Sequence, residues 1–327
     1  MNNENDKEQI VRNEPTTFHQ PEHQTGKEDE LDIRELFSII WKGKWIIIAV
    51  TFVFAVASVG IALYLPNEYK ATAVVQPNES AGGGKLSQLA GQFGGLASLA
   101  GISLGTGESS DAVIAMEVMK SWGFTESFIN NHNLDVPLFA AEEWSQLKNK
   151  LVIDEDLYDI QQQKWVREAP QGKTVEPTSW ELYEKFKERI AVTQDKETGL
   201  VNISVTHYSP IIAQQWAKWL VEDINRHMKE RALKEANESI KYLEEQIKKT
   251  SVAEIRAVFS ELIQEQHKTK MLAQVSDEYI FKTVSSAKVP EEKVKPKRLL
   301  IVILGTLLGG FLSVLLALVI GFVNNKK

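Results

Sequence analysis

Two long, continuously apolar stretches of this chain, residues 45–65 and 299–323, carry no charged side chain, while most of the sequence between them is polar. At 1.5 Å rise per residue each stretch can cross a hydrocarbon layer of about 30 Å as a helix. The core helix of a soluble protein seldom needs about 20 uninterrupted uncharged residues, so the pattern predicts a transmembrane helix over 45–65 and another over 299–323. A cleaved signal peptide would start within roughly the first 15–30 residues, and here a long polar segment comes first, so the earlier helix is expected to be a retained anchor.

Between the helices the pattern changes several times. Residues 1–30 are rich in Asn, Glu, Gln, Pro and Thr and poor in large apolar groups, which predicts a disordered tail. Residues 31–44 carry Leu31, Leu36, Phe37, Ile40 and Trp41 among charges, the pattern of a short interfacial helix leading into the membrane. Beyond the first span, residues 69–76 read as a strand closed by Pro77. Residues 82–107 are dense in glycine, either a linker or a close-packed surface between subunits. Residues 110–129 read as one helix capped by Ser110, with Val113, Met116, Val118, Met119, Trp122 and Phe124 as its apolar positions. A polar stretch to 180 follows, in which Trp144, Trp165 and Trp180 are expected as core or groove anchors. A short helix over 179–186 leads to strand 189–193. Strand 200–207 alternates Val201, Ile203 and Val205 with Asn202, Ser204 and Thr206. The turn-prone Asp195 and Gly199 between the two runs predict a hairpin.

The longest soluble pattern begins at Ser209-Pro210, a cap followed by a proline suited to a first helical turn. Residues 211–281 contain neither proline nor glycine, and apolar residues recur at spacings of three and four. A register shift falls near Thr250-Ser251. Continuous, the segment would extend roughly 105 Å; broken there, it would fold into an antiparallel pair. Either form needs cover along its apolar stripe, for which Leu243, Ile247, Ile255, Phe259 and Leu262 are the candidate packing positions. Residues 284–298, with Pro290 and Pro296, read as an extended connector back to the membrane. In the second span Gly305 and Gly309 form a GxxxG pair, either a site of close helix contact or the ordinary glycine content of a membrane helix.

The expected fold class is therefore α+β. A small mixed base of sheet and helix (66–208) is joined to a long coiled-coil-like helix (209–283) and the connector (284–298), together one domain over 66–298. Two transmembrane helices and a short tail, 324–327, complete the chain.

Charge adds orientation. The chain is acidic overall, at −7, and no segment concentrates positive charge, so nucleic acid is excluded as a partner. Arg34, Lys42 and Lys44 precede the first span, which predicts cytoplasmic termini and an external middle domain. Lys293, Lys295, Lys297 and Arg298, on the supposed outer flank of the second span, oppose that assignment. With no cysteine, thiol chemistry and iron–sulfur clusters are excluded. The six histidines form no HExxH, and the paired carboxylates Glu244-Glu245 and Glu291-Glu292 are interleaved with lysines as on a solvated face. Neither an enzyme nor a cofactor or metal site is expected.

Five segments in order, DIRELFSIIWKGKWIII, EYKATAVVQP, SSDAVIAMEVMKSWGF, TGLVNISVTHYSP and PEEKVKPKRLLIVILGTLLGG, resemble the polysaccharide co-polymerases of the Wzz type, the chain-length determinants of Gram-negative envelope polysaccharides. The resemblance covers most of the chain from Asp32 onward. It implies a two-pass inner-membrane protein with a periplasmic domain and a ring of identical subunits. The implied partners are a Wzy-type polymerase, lipid-linked polysaccharide and membrane lipids. The family's proline-rich pre-membrane motif would fall on Pro290 and Pro296 and its glycine pattern on Gly305 and Gly309, although the family's closely repeated prolines are here reduced to two. A kinase-bearing branch of the family has a further cytoplasmic domain, which is not expected in this chain. The implied function is non-enzymatic control of polysaccharide chain length. The alternatives are an export or envelope adaptor without length control and, less well matched, a membrane sensor.

Overall fold

The computed structural model describes residues 40–78 and 110–325. The expected disordered tail, most of the interfacial segment, the glycine-dense stretch, His19, His23 and the terminal lysines lie outside the described residues. The chain divides into two compact units, residues 56–304 and a second made of 1–55 with 305–327.

In the larger unit the first strand is also the central one. Helix α1 (Lys44–Tyr64) ends shortly before β1 (Glu68–Pro77). On one side β1 pairs antiparallel with β7 (Val201–His207), which pairs with β6 (Ile190–Gln194). On its other side, β8 (Phe281–Ser285) covers the C-terminal half of β1, and β9 (Lys293–Lys295) covers its first residues. The register Ala71↔Val205, Ala73↔Ile203 and Val75↔Val201 places the small and β-branched side chains on one face. That face is the buried one, as the sequence alternation requires. On the opposite face Thr72 Oγ1 and Ser204 Oγ lie 2.9 Å apart across the ladder. The β6–β7 turn forms because Asp195 Oδ1 accepts from the backbone N–H groups of Glu197 and Thr198, while Gly199 takes φ +68°, a conformation that disfavours a β-carbon.

Helix α6 (Pro210–Lys249) lies on the apolar face. Ser209 Oγ accepts from Ile212 N at 3.3 Å, and Pro210 occupies the first turn. Trp216, Leu220 and Ile224, at helical spacing, are sealed against the sheet. Helices α2 (Ser110–Lys120), α3 (Trp122–His132) and α4 (Asp135–Phe139), with α5 (Ser179–Arg189), complete the layer. The predicted single helix over 110–129 is in fact two. Ser121 adopts an extended backbone and its hydroxyl accepts from Phe124 N, so α3 has its own cap. Phe128, Phe186 and Trp216 form an aromatic line through the core, with centroids 5.3 and 6.1 Å apart. Between α4 and α5 run two small hairpins, β2 (Ala141–Ser145) with β3 (Lys150–Ile153), and β4 (Tyr158–Asp159) with β5 (Lys164–Trp165). Trp165 is buried, but Trp180 is 57% exposed and is no core anchor.

The long helical pattern is broken. Thr250 and Val252 take extended backbone, ending α6 and preceding α7 (Ala253–Val275). The two helices are antiparallel arms, cross-linked by Lys270 Nζ to Asn237 Oδ1 at 2.8 Å and by Lys229 Nζ to Ser276 O at 3.2 Å.

Buried polar groups lock the elements together. Asn225 of α6 accepts from Ile280 N and Phe281 N, both at 2.9 Å, and donates to Phe281 O at 3.0 Å, holding the start of β8 against the helix. Asp223 joins His132 of α3 at 2.9 Å and pairs with Arg226. His207 accepts from Ser209 N through Nδ1, so Nε2 carries the proton and donates to Pro137 O at 2.9 Å. Burial, opposed in part by that bond, pushes the His207 pKa down to about 4. At the start of α5, Arg167 grips Glu181 through both oxygens and holds the Glu181 pKa down at about 2.

Replacing Asn225 by Ala leaves two buried N–H groups without an acceptor and should cost about 2–4 kcal/mol, read as a lowered denaturant midpoint of the detergent-solubilised chain. An unchanged midpoint would remove the role assigned to this side chain. His207 stays neutral in the fold while the unfolded chain takes up a proton near pH 6.5. Its contribution to stability is therefore complete above that pH and lost as pH falls toward about 4. The stability difference between wild type and His207→Asn should shrink across that window; a difference constant with pH would contradict the neutral buried state.

Candidate functional site

No group of three or more metal-ligating side chains occurs among the described residues, and the features of functional interest are structural junctions. The first lies where the chain leaves and re-enters the candidate membrane helices. Glu68, at the start of β1, is held from two sides, by Arg189 Nη1 at 2.9 Å and Lys295 Nζ at 3.1 Å. Asn67 Oδ1 accepts from Lys293 Nζ at 3.1 Å and from Arg298 Nη2 at 3.2 Å. Three of the four basic residues that opposed the predicted orientation, Lys293, Lys295 and Arg298, are thus bound to the two polar residues just beyond α1. Arg189 comes from the end of α5, so the base of the helical layer is tied to the same point.

Pro290 and Pro296 flank β9. Pro296 follows a cis peptide bond, and its carbonyl accepts from Arg298 N at 2.9 Å. The connector is not simply extended, because 293–295 add to the edge of β1 and Ala287 is buried in the core. Pro290 lies in the excursion between β8 and β9.

The second junction lies in the smaller unit. Helix α8 (Arg298–Asn325) and α1 are both long and apolar enough to cross a membrane, and only 11% of either span is buried within the chain. Exposed side chains such as Phe52, Leu307 and Phe311 argue against a soluble core. A β-carbon built at Gly309 would lie 2.8 Å from Phe54 Cγ and closer still to its Cβ. One turn further on, Ser313 is buried, with its Oγ 3.2 Å from Thr51 Oγ1. Ala317, another turn on, is also buried. The glycine therefore serves close packing with α1 of its own chain; Gly305 is partly buried on the same helix.

The third feature is the surface of the helical hairpin. Leu243, Ile247 and Phe259 are partly buried. Ile255 and Leu262 are 42% and 41% exposed, and Val258 between them 56%. Their spacing of three and four makes one apolar stripe along α7 that the chain itself leaves uncovered. Near the base of the hairpin a groove of about 630 Å³ carries both charge signs, but Lys229 at its edge already pairs with Asp277.

Sequence reasoning marked Lys293, Lys295 and Arg298 only as a basic flank; their partners Asn67 and Glu68, which directly follow the first span, were not identified as such. The signal was a charged group placed against the membrane boundary, legible only once Lys295 is known to lie beside it.

Two family models match the chain: chain length determinant protein (Wzz) over residues 29–132, and the G-rich domain on putative tyrosine kinase (GNVR) over residues 245–320. No curated protein sequence matches it. Among solved structures, a full-length bacterial polysaccharide co-polymerase is 13% identical over 90% of this chain and 99% of its own, with a TM-score of 0.38. A fragment of WzzB, a polysaccharide co-polymerase from Salmonella Typhimurium, is 12% identical over 70% of this chain and 100% of its own, with a TM-score of 0.27.

Replacing Gly309 by Leu should force α1 and α8 apart and cost about 1–3 kcal/mol of stability in detergent, with Phe54→Ala restoring much of it in the double variant. Thermal unfolding that does not distinguish Gly309→Leu from wild type would remove the packing role.

Proposed function

We propose that this chain, a member of the Wzz family of chain length determinant proteins, is a non-enzymatic regulator of the length of a surface polysaccharide. It works as a homo-oligomeric scaffold beside a Wzy-type polymerase that extends O-antigen or a related lipid-linked polymer. In this reading residues 66–298 are periplasmic and both termini cytoplasmic, in the inner membrane of a Gram-negative cell. Residues 209–283 form a helical projection from the base over 66–208. A repeat of such subunits, closed into a ring, raises the local concentration of polymerase and growing chain and so biases extension against release.

The observation that carries the proposal, beside the family match, is the uncovered stripe of Ile255, Val258 and Leu262 on a protein with two candidate membrane helices. A row of exposed aliphatic side chains on a helix arm is stable in water only when covered, and a neighbouring copy offers the same arm. The pairing of Lys293, Lys295 and Arg298 with Asn67 and Glu68 supports the orientation. Lys295 is neutralised by the Glu68 carboxylate, and Lys293 and Arg298 are held locally by Asn67, so part of the positive charge that opposes this orientation is engaged within the domain. The GNVR match runs from the tip of the hairpin into α8.

Deletion of the gene should broaden or shift the modal band of the polysaccharide ladder on a gel, with complementation restoring it. Loss of all surface polymer with an unchanged band distribution would favour an export adaptor instead. Leu262→Asp should lower the assembled mass of the purified protein, because a charge would enter the covered stripe, and should shift the ladder with it. A variant of wild-type mass would remove this stripe from the oligomer contact.

A further inference from the structure

Tryptophan is seldom left in water without a role, yet Trp122 and Trp180 are 47% and 57% exposed on neighbouring helix starts. The structure fixes them there. Trp122 Nε1 donates to Ser179 Oγ at 2.8 Å, joining the first turn of α3 to that of α5. Trp180 lies against Tyr183 with centroids 5.3 Å apart, and the Tyr183 hydroxyl donates to Lys120 O at 3.1 Å. The rings form a preorganised platform.

From Ser179 the surface dips into a hollow of about 310 Å³ lined by Glu126, Asn130 and Asn133. Asp135 and Glu176 form its wall and are shared with a second hollow of about 630 Å³. That second hollow carries another aromatic pair, Tyr158 and Trp165, whose rings meet edge to face at 5.2 Å. The two hollows share the wall of Asp135 and Glu176, and the platform adjoins the first through Ser179, to which Trp122 is bonded; together they make a furrow with exposed rings at one end, beside carboxylates and carboxamides, while Trp165 at the other end is buried. Its wall is held in place by Arg167, which donates to the carbonyls of Thr174, Val175 and Glu176 from a buried position. The nearby cations Arg167 and Lys173 are both engaged by Glu181, and across the two hollows the three carboxylates of Glu126, Asp135 and Glu176 outnumber the one lining cation, Lys164.

We propose that this furrow binds a saccharide chain. Flat aromatic faces receive the C–H faces of sugar rings, and the carboxylates and carboxamides supply the mixed acceptors and donors that hydroxyl groups need. The excess of carboxylates selects a neutral polymer over a uronic-acid one, because like charges would face each other in a partly desolvated cleft. A second copy of this chain fits less well: the surface that requires aliphatic cover is on α7, whereas this one offers rings set among polar groups. The site rests on the proposed function only for the source of its saccharide.

The test applies the full chain in detergent micelles to an array of neutral and uronic-acid oligosaccharides, then titrates the best neutral binder calorimetrically. Trp180→Ala and Glu176→Ala should each weaken binding at least about tenfold, while Trp180→Tyr, which keeps a ring, stays within about threefold. Circular dichroism confirms the fold of each variant, and Glu176, exposed on the wall, guards against a misfolded tryptophan variant. The proposal is overturned by failure to bind any neutral oligosaccharide, by binding indifferent to both alanine substitutions, or by preference for the uronic-acid series. It is equally overturned if Trp180→Ala changes the assembled mass, which would make this face a contact between copies. Ladders from cells carrying Trp180→Ala separate the two readings: loss of binding with an unchanged ladder upholds the site and detaches it from length control.

Discussion

The arrangement depends on the pairing of β1 with strands from the far end of the chain. β1 follows α1 almost at once, yet its partners are β7 on one side and β8 with β9 on the other. Ladder hydrogen bonds of this kind contribute little net energy singly, and closing so long a loop is entropically costly. The closure holds because the same register buries Ala71, Ala73 and Val75 under α6. Asn225 then ties that helix to the first residues of β8, so strand pairing, helix docking and chain return support one another.

Much of this was legible in the sequence. Period-two alternation located β1 and β7, and Asp195 with Gly199 marked the hairpin turn, because both signals are local. The Ser209-Pro210 cap was equally plain. The division of the predicted helix at Ser121 was missed because its apolar spacing continues through the break; only the serine's competing hydrogen bond, with a glycine two residues on, hinted at it. The break between α6 and α7 was foreshadowed by the register shift at Thr250-Ser251, but periodicity alone could not decide between one long helix and two arms.

The functional features were less legible, because each is a meeting of distant residues. Gly309 is an ordinary membrane-helix glycine until Phe54 is seen against it. Trp122 and Trp180 look like core anchors by residue type, and only exposure turns them into a surface. Glu68 and Lys295 have opposite charges at opposite ends of the domain, and nothing in either neighbourhood announces the other. The candidate hairpin positions differ in exposure, and their division into inner residues (Leu243, Ile247, Phe259) and outer ones (Ile255, Leu262) belongs to the antiparallel arms.

The closeness of β9 to α8 also sets the order in which the protein can be made. During synthesis β1 emerges early and has no partner until β7 follows, and its other edge waits for residues beyond 280. β9, the last strand of the sheet, ends immediately ahead of the second apolar helix. Completion of the sheet and delivery of that helix to the bilayer are therefore nearly one event. A nascent chain stalled before it carries an open strand edge, the kind of surface on which chaperones act and aggregates grow.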